Sequence, residues 1–274
     1  MSAVILDEGI VHYEVLGRGR PVIFLHGWVG SWRYWIPAMQ TAAVSFRCYA
    51  FDLCGFGDTA HDPLFYSLDK QAGLLDNFLI KIGLIVKDEM SGARTGKIAI
   101  IGHGLGALTS ILFARKFPAL VDRMMVINIP LDIKDVATRL RSPASLVDLA
   151  DWLLGRDPLT EAVRVDSPKA DLQAVNVSMS SLSTLNFASV MSQIQIPCLM
   201  VHGQNDPAIN APSDEWLSSK PERMHLVTLE QSGHFPMLDE SSGFNRLMAD
   251  FLALESGADP GDLQLKEQWK RRVR

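Results

Sequence analysis

Short apolar runs recur along this chain at 9–16, 21–26, 47–52, 97–102, 123–129, 197–202 and 225–230, and most are continuous rather than alternating. Runs such as VIFL, IAII and CLMV offer no polar face, so strands built from them must be covered on both sides. Between them lie segments with helical spacing. Leu75, Phe78, Leu79 and Ile82, within 67–85, fall at i, i+3, i+4 and i+7, and Phe244, Leu247, Met248 and Phe251 repeat that stripe further on. Strands and helices alternating in this way predict an α/β fold, a central mostly parallel sheet with helices on both faces. At 274 residues and 47% apolar content the chain has ample material for one large core.

The rhythm breaks at 131–192, where no strand-like run occurs and helix signals take over. Ser142-Pro143 reads as an N-cap with its first-turn proline, and Gly155 as the stop after Trp152, Leu153 and Leu154. The expected organisation is a core in two parts, 1–130 and 193–254, with a helical lid at 131–192 and a tail at 255–274. In the tail, Leu265, Trp269 and Val273 mark one edge of a short helix.

The net charge of -5 is spread without a basic stripe, which argues against nucleic acid as a partner. Cys48, Cys54 and Cys198 form neither a CxxC pair nor a metal spacing, and they read as reduced, buried thiols. The N-terminal MSAVILDEG lacks a basic start and a long apolar stretch, so a cytoplasmic location is expected. The uncharged run 98–114 is shorter than the ~18 residues a membrane helix needs and holds three glycines and His103. A strand, a tight turn and a buried helix account for it, and no membrane partner is expected.

That run contains the most specific motif, Gly102-His103-Gly104-Leu105-Gly106, between a strand and a helix. In a nucleophile elbow, G-x-S-x-G, the central residue is held at the top of a sheet in a strained conformation, and its small neighbours let strand and helix approach. Here glycine stands where the hydroxyl is expected. The chain resembles the α/β-hydrolase superfamily, in its lid-bearing branch of small esterases, lactonases and C-C bond hydrolases, over about residues 8–254. His26-Gly27-Trp28 is similar to the family's oxyanion loop, and the resemblance implies backbone donors at Trp28 and Leu105. Asp52-Leu-Cys-Gly55-Phe-Gly57 matches a D-x-x-G-x-G turn read as structural, with Thr59 where serine is usual. Asp206, in His202-Gly203-Gln204-Asn205-Asp206, resembles the family's acid, and His234, in Gly233-His234-Phe235-Pro236, its catalytic histidine. The order elbow, acid, histidine is the one this fold uses. By the same matching His26, His103 and His202 shape loops rather than transfer protons.

Glycine cannot form an acyl-enzyme, and an aspartate-nucleophile mechanism is excluded because residue 104 is not aspartate. Three readings stay open at this point. Gly104 replaces a parental serine in a hydrolase; or the chain is a non-catalytic relative binding a ligand or partner; or His234 and Asp206 act directly as a general base. The implied ligand is a small, largely apolar ester, lactone or related acyl compound, since 131–192 is rich in leucine and poor in charge anchors. Trp28, Trp32 and Trp152 are the candidate lining residues. No metal, nucleotide or flavin motif is signalled, so no cofactor is expected, and oligomeric state is not legible.

Overall fold

The structure, a computed structural model, describes residues 2–7, 9–154 and 160–263. Its strands are β1 (Ser2–Leu6), β2 (Gly9–Gly17), β3 (Arg20–Leu25), β4 (Phe46–Phe51), β5 (Val86–Lys87), β6 (Arg94–Thr95), β7 (Ile98–His103), β8 (Val121–Ile127), β9 (Cys198–Gly203) and β10 (Met224–Leu229). All but β5 and β6, a small separate hairpin, form one sheet in the order β1-β2-β4-β3-β7-β8-β9-β10. The ladders from β4 to β10 are parallel, while β1–β2 and β2–β4 are antiparallel. The seven strands expected from the sequence are present to within two residues at each end. β1 was not expected: its apolar run AVIL is only four residues long, and as an edge strand it is half covered, with Ile5 and Ile10 paired and exposed.

Chain order explains where a site can form. From β3 the chain crosses to β4 on one side and later returns to β7 on the other, so the carboxyl ends of β3 and β7 flank a topological switch point. Loops leaving neighbouring strands there diverge and open a crevice.

The helices are α1 (Ile36–Ala42), α2 (Leu68–Lys81), α3 (Leu105–Lys116), α4 (Thr138–Arg141), α5 (Leu146–Leu153), α6 (Glu161–Asp166), α7 (Leu172–Ser183), α8 (Phe187–Ser192), α9 (Asp214–Ser219), α10 (Pro236–Asp239) and α11 (Ser241–Ala253). The expected stripes face the core: Leu75, Phe78 and Leu79 on α2, and Phe244, Leu247, Met248 and Phe251 on α11, are buried. α3 is buried from Leu105 to Ala114, as an uncharged helix between a sheet and α2 should be. Cys48 and Cys198 lie in β4 and β9, and all three cysteines are buried thiols. Burial pushes the Cys48 thiol up to about 12, so it stays protonated and inert.

Between Thr138 and Ser192 the described residues are helices, short 3-10 turns and loops. One expectation here is corrected. The cap of α5 is Ser145, whose Oγ accepts from the Asp148 N–H at 3.3 Å, whereas Ser142 closes the short α4. Pro143 cannot open that helix because α5 begins three residues later. Gly155 and the tail positions Leu265, Trp269 and Val273 lie outside the described residues. This segment is cross-braced to the sheet's loops by four charges. Fully buried Asp166 accepts from Arg33 at 3.0 Å and from Ser31, and Lys169 lies 3.1 Å from it. Asp58 meets Arg33 at 3.2 Å and Lys169 at 3.0 Å, so each charge on one side faces its opposite on the other. Among the described residues no helix is long and apolar enough to cross a membrane.

Candidate active site

Gly104 is the residue between β7 and α3, with φ 49° and ψ -109°. Its N–H donates to the Ile127 carbonyl at 2.9 Å and its carbonyl accepts from Leu108, which holds the turn sharp. Two residues on, the Gly106 N–H donates to the His26 carbonyl at 2.9 Å. A Cβ on Gly106 would sit 2.4 Å from the Leu25 carbonyl oxygen, so only glycine lets α3 start this close to β3. The turn has the backbone and the close packing expected of a nucleophile elbow.

Around Gly104 stand the two expected amide donors. Trp28 N–H follows β3 and Leu105 N–H opens α3, and neither is engaged in a hydrogen bond among the described residues. The positive end of α3 adds to their field at the same point. A Cβ built on Gly104 would lie 3.0 and 3.1 Å from Cζ3 and Cε3 of Trp28. That indole is fully buried and its Nε1 donates to Ser178 Oγ on α7 at 3.0 Å. Ser178 in turn donates to the Val175 carbonyl, so the pin is satisfied at both ends.

His234 and Asp206 come together from the loops after β10 and β9. His234 Nδ1 lies 2.9 and 3.0 Å from the two Asp206 carboxylate oxygens. Asp206 Oδ1 also accepts from the Ala208 and Ile209 N–H groups, so the carboxylate is an acceptor on every side. Nδ1 must therefore carry the proton, and the neutral ring offers Nε2 as its free acceptor. The pair is buried, and the His103 ring lies 4.8 Å from that of His234, centroid to centroid.

His26 and His103 are held in buried hydrogen bonds. The Gly27 N–H donates to the Tyr34 hydroxyl, which shares a hydrogen bond with His103 Nδ1 at 3.0 Å. Burial holds the His103 imidazole well below the ordinary histidine range and the Tyr34 phenol well above its own, so this chain stays neutral. His26 accepts from the Leu53 N–H and is likewise held down by burial. Burial also lowers His202. Asp52 is the knot of its turn, accepting from Trp32 N–H, Asp58 N–H and His12 Nδ1. His12, Asp52 and Asp58 bring potential ligand atoms within 4.8 Å of one another, but Asp52 is saturated by these donors and Asp58 by Arg33 and Lys169.

The hydrogen bond to Asp52 raises the His12 pKa against the opposing effect of burial. A raised folded pKa stabilises the protein fully below the unfolded value near 6.5, and the gain is lost as pH rises through the folded value. His12→Asn is therefore expected to destabilise the chain more at pH 6 than at pH 9 in urea unfolding. A penalty that is flat or grows with pH would contradict this assignment.

Of the candidate site residues, the structure brings Gly104, Trp28 and Leu105 together and pairs Asp206 with His234. Trp32 lies beside His12 and Arg33, 5.7 Å and 5.0 Å from their groups, and Trp152 beneath Arg139. Sequence reading missed Tyr34, Ser178, Asp166 and Asn128. None belongs to a local motif, although Asn128, a polar residue closing the run MMVI, gave a faint signal.

A family model described as "Alpha/beta hydrolase family" matches residues 22–247. The chain belongs to that family. A 2-hydroxy-6-oxo-2,4-heptadienoate hydrolase of Pseudomonas putida is 23% identical, over 93% of this chain and 97% of its own. A pimeloyl-acyl-carrier-protein methyl ester esterase of Nitrosomonas europaea is also 23% identical, over 83% and 94%. Among solved structures, an enol-lactonase from Burkholderia xenovorans superposes with a TM-score of 0.77 at 15% identity, covering 92% of this chain and all of that one. A serine-to-glycine mutant of an N-acyl homoserine lactonase, complexed with N-hexanoyl homoserine lactone, superposes with a TM-score of 0.72 at 18% identity, over 92% and 96%. The α/β-hydrolase fold and membership of a hydrolase family therefore stand.

Proposed function

We propose that this site takes small, largely apolar esters or lactones beneath a lid formed by about residues 131–192, and acts on them without an acyl-enzyme. The observation that carries the reading is the assembled His234–Asp206 pair beside an elbow whose two amides are unengaged. A substrate carbonyl oxygen there accepts from the Trp28 and Leu105 N–H groups. His234 Nε2 takes a proton from water as the water oxygen attacks the carbonyl carbon, and the tetrahedral oxyanion collects on the two amides. Asp206 stabilises the imidazolium, which then returns its proton to the departing alkoxide. The lactonase mutant with glycine in place of serine, complexed with a lactone, supports the idea that such a substitution leaves acyl binding intact.

A second reading, binding without turnover, is favoured by the Trp28 indole, which lies against Gly104 and is pinned by Ser178. Hydrolysis of p-nitrophenyl butyrate by the chain and by His234→Ala separates the two. Direct hydrolysis predicts a slow rate with no initial burst and a fall of about 10²-fold in His234→Ala. A rate indifferent to His234 rejects the catalytic reading. No turnover, with saturable quenching of tryptophan fluorescence by a non-hydrolysable butyramide, places the binding reading first.

A further inference from the structure

Asn128 is the only non-glycine residue with positive φ among the described residues, at 45°. It follows β8 directly, is fully buried, and its N–H continues the parallel ladder to the Val201 carbonyl at 2.9 Å. Positive φ costs an L-residue conformational energy, which asparagine tolerates better than most and glycine better still. An outlier of this kind persists only where the surrounding structure uses the residue that holds it.

The use is visible in the side chain. Oδ1 accepts from the Gly203 N–H at 2.9 Å, at the point where β9 runs into the turn bearing Asp206. Nδ2 donates to the His234 carbonyl at 2.9 Å and to the Gly233 carbonyl at 3.2 Å. An N–H faces the oxygen and two carbonyls face the amino group, so only one orientation of the amide satisfies the site. One buried side chain thus joins the strand that carries the acid to the loop that carries the histidine.

We infer that Asn128 is a positioning residue for His234. Residue 234 is held at two points, its carbonyl by Asn128 and its ring by Asp206, and with both fixed the direction of Nε2 is determined. With the carbonyl bond gone, the backbone at Gly233 and His234 can rotate, the Nδ1–Asp206 hydrogen bond is made only part of the time, and neither the tautomer nor the direction of Nε2 stays fixed. The inference rests on His234 being the site's proton acceptor, but its test needs no turnover.

Asn128→Gly removes the three side-chain bonds while suiting the positive φ, so loss of alignment is separated from backbone strain. Nitrogen-15 and proton NMR of the histidine rings reports it. The unaltered chain is expected to show His234 as a single Nδ1-protonated tautomer with a slowly exchanging downfield proton. Folded Asn128→Gly is expected to lose that resonance to exchange and to show a mixture of tautomers. Asn128→Asp, of nearly equal volume, can accept from Gly203 but presents an anion to two carbonyls, and is expected to give the same loss. An unchanged Nδ1 proton in either folded variant overturns the inference. So does failure of both to fold, which would assign Asn128 to the fold alone. An esterase assay that finds the chain inert would count against the proposed hydrolysis and leave the NMR result standing.

Discussion

Gly104→Ser is expected to raise hydrolysis of p-nitrophenyl butyrate by about 10³-fold or more, the gain that accompanies return of a missing member to an otherwise assembled triad. His234 presents Nε2 because Asp206 holds Nδ1, and the Trp28 and Leu105 amides are free to receive the oxyanion. The gain comes with a structural cost. At φ 49° a side chain is strained by about 1–3 kcal/mol, and its Cβ meets the Trp28 ring at 3.0–3.1 Å, so the indole must give by a few tenths of an ångström. The serine form should therefore melt lower while turning over faster, with an initial burst that the glycine form lacks. Steady-state and stopped-flow rates on the two proteins, alongside their melting temperatures, check both halves. A serine form as slow as the glycine form would show that the indole, and not the missing hydroxyl, closes the site.

The largest loss of stability at the elbow is expected from Gly106→Ala. Its Cβ would lie 2.4 Å from the Leu25 carbonyl oxygen and 2.6 Å from the Leu25 carbonyl carbon, atoms of a central strand that cannot turn aside. The helix α3 must then back away from β3, which strains the Gly106 N–H bond to His26 and opens the packing of the elbow. Overpacking of this kind costs about 3 kcal/mol or more, a drop in Tm on the order of 10 °C. Gly73→Ala is the control. Gly73 lies inside α2 and a Cβ there meets nothing within 4 Å, so alanine should stabilise by about 0.5–1 kcal/mol. Thermal and urea unfolding of the two variants give opposite signs if close approach is what the elbow glycine serves. A neutral Gly106→Ala would refute that account.

The sheet was legible because its strands are buried on both faces and so appear as unbroken apolar runs, as β7 and β9 do. The two-residue β5 and β6 escaped because so short a strand has no such run, and edge strand β1 because its run AVIL is brief and half of it faces out. The helix cap moved from Ser142 to Ser145 because a cap depends on which hydroxyl reaches a free N–H, and two serines stand three residues apart.

At the site, residues carried by tight local turns could be found from their neighbours: Gly104 by its strand and helix, Asp206 and His234 by the turns that present them. The absence of a hydroxyl at 104 is likewise covalent, and no folding alters it. What only the tertiary structure decided is how distant side chains close on these turns. Trp28 meets Ser178 across 150 residues, Ser31 meets Asp166 across 135, and Asn128 meets Gly203 across 75. Separations of that size leave no spacing in the sequence. These partners are chosen by which loops the sheet order brings side by side at the carboxyl ends of its strands.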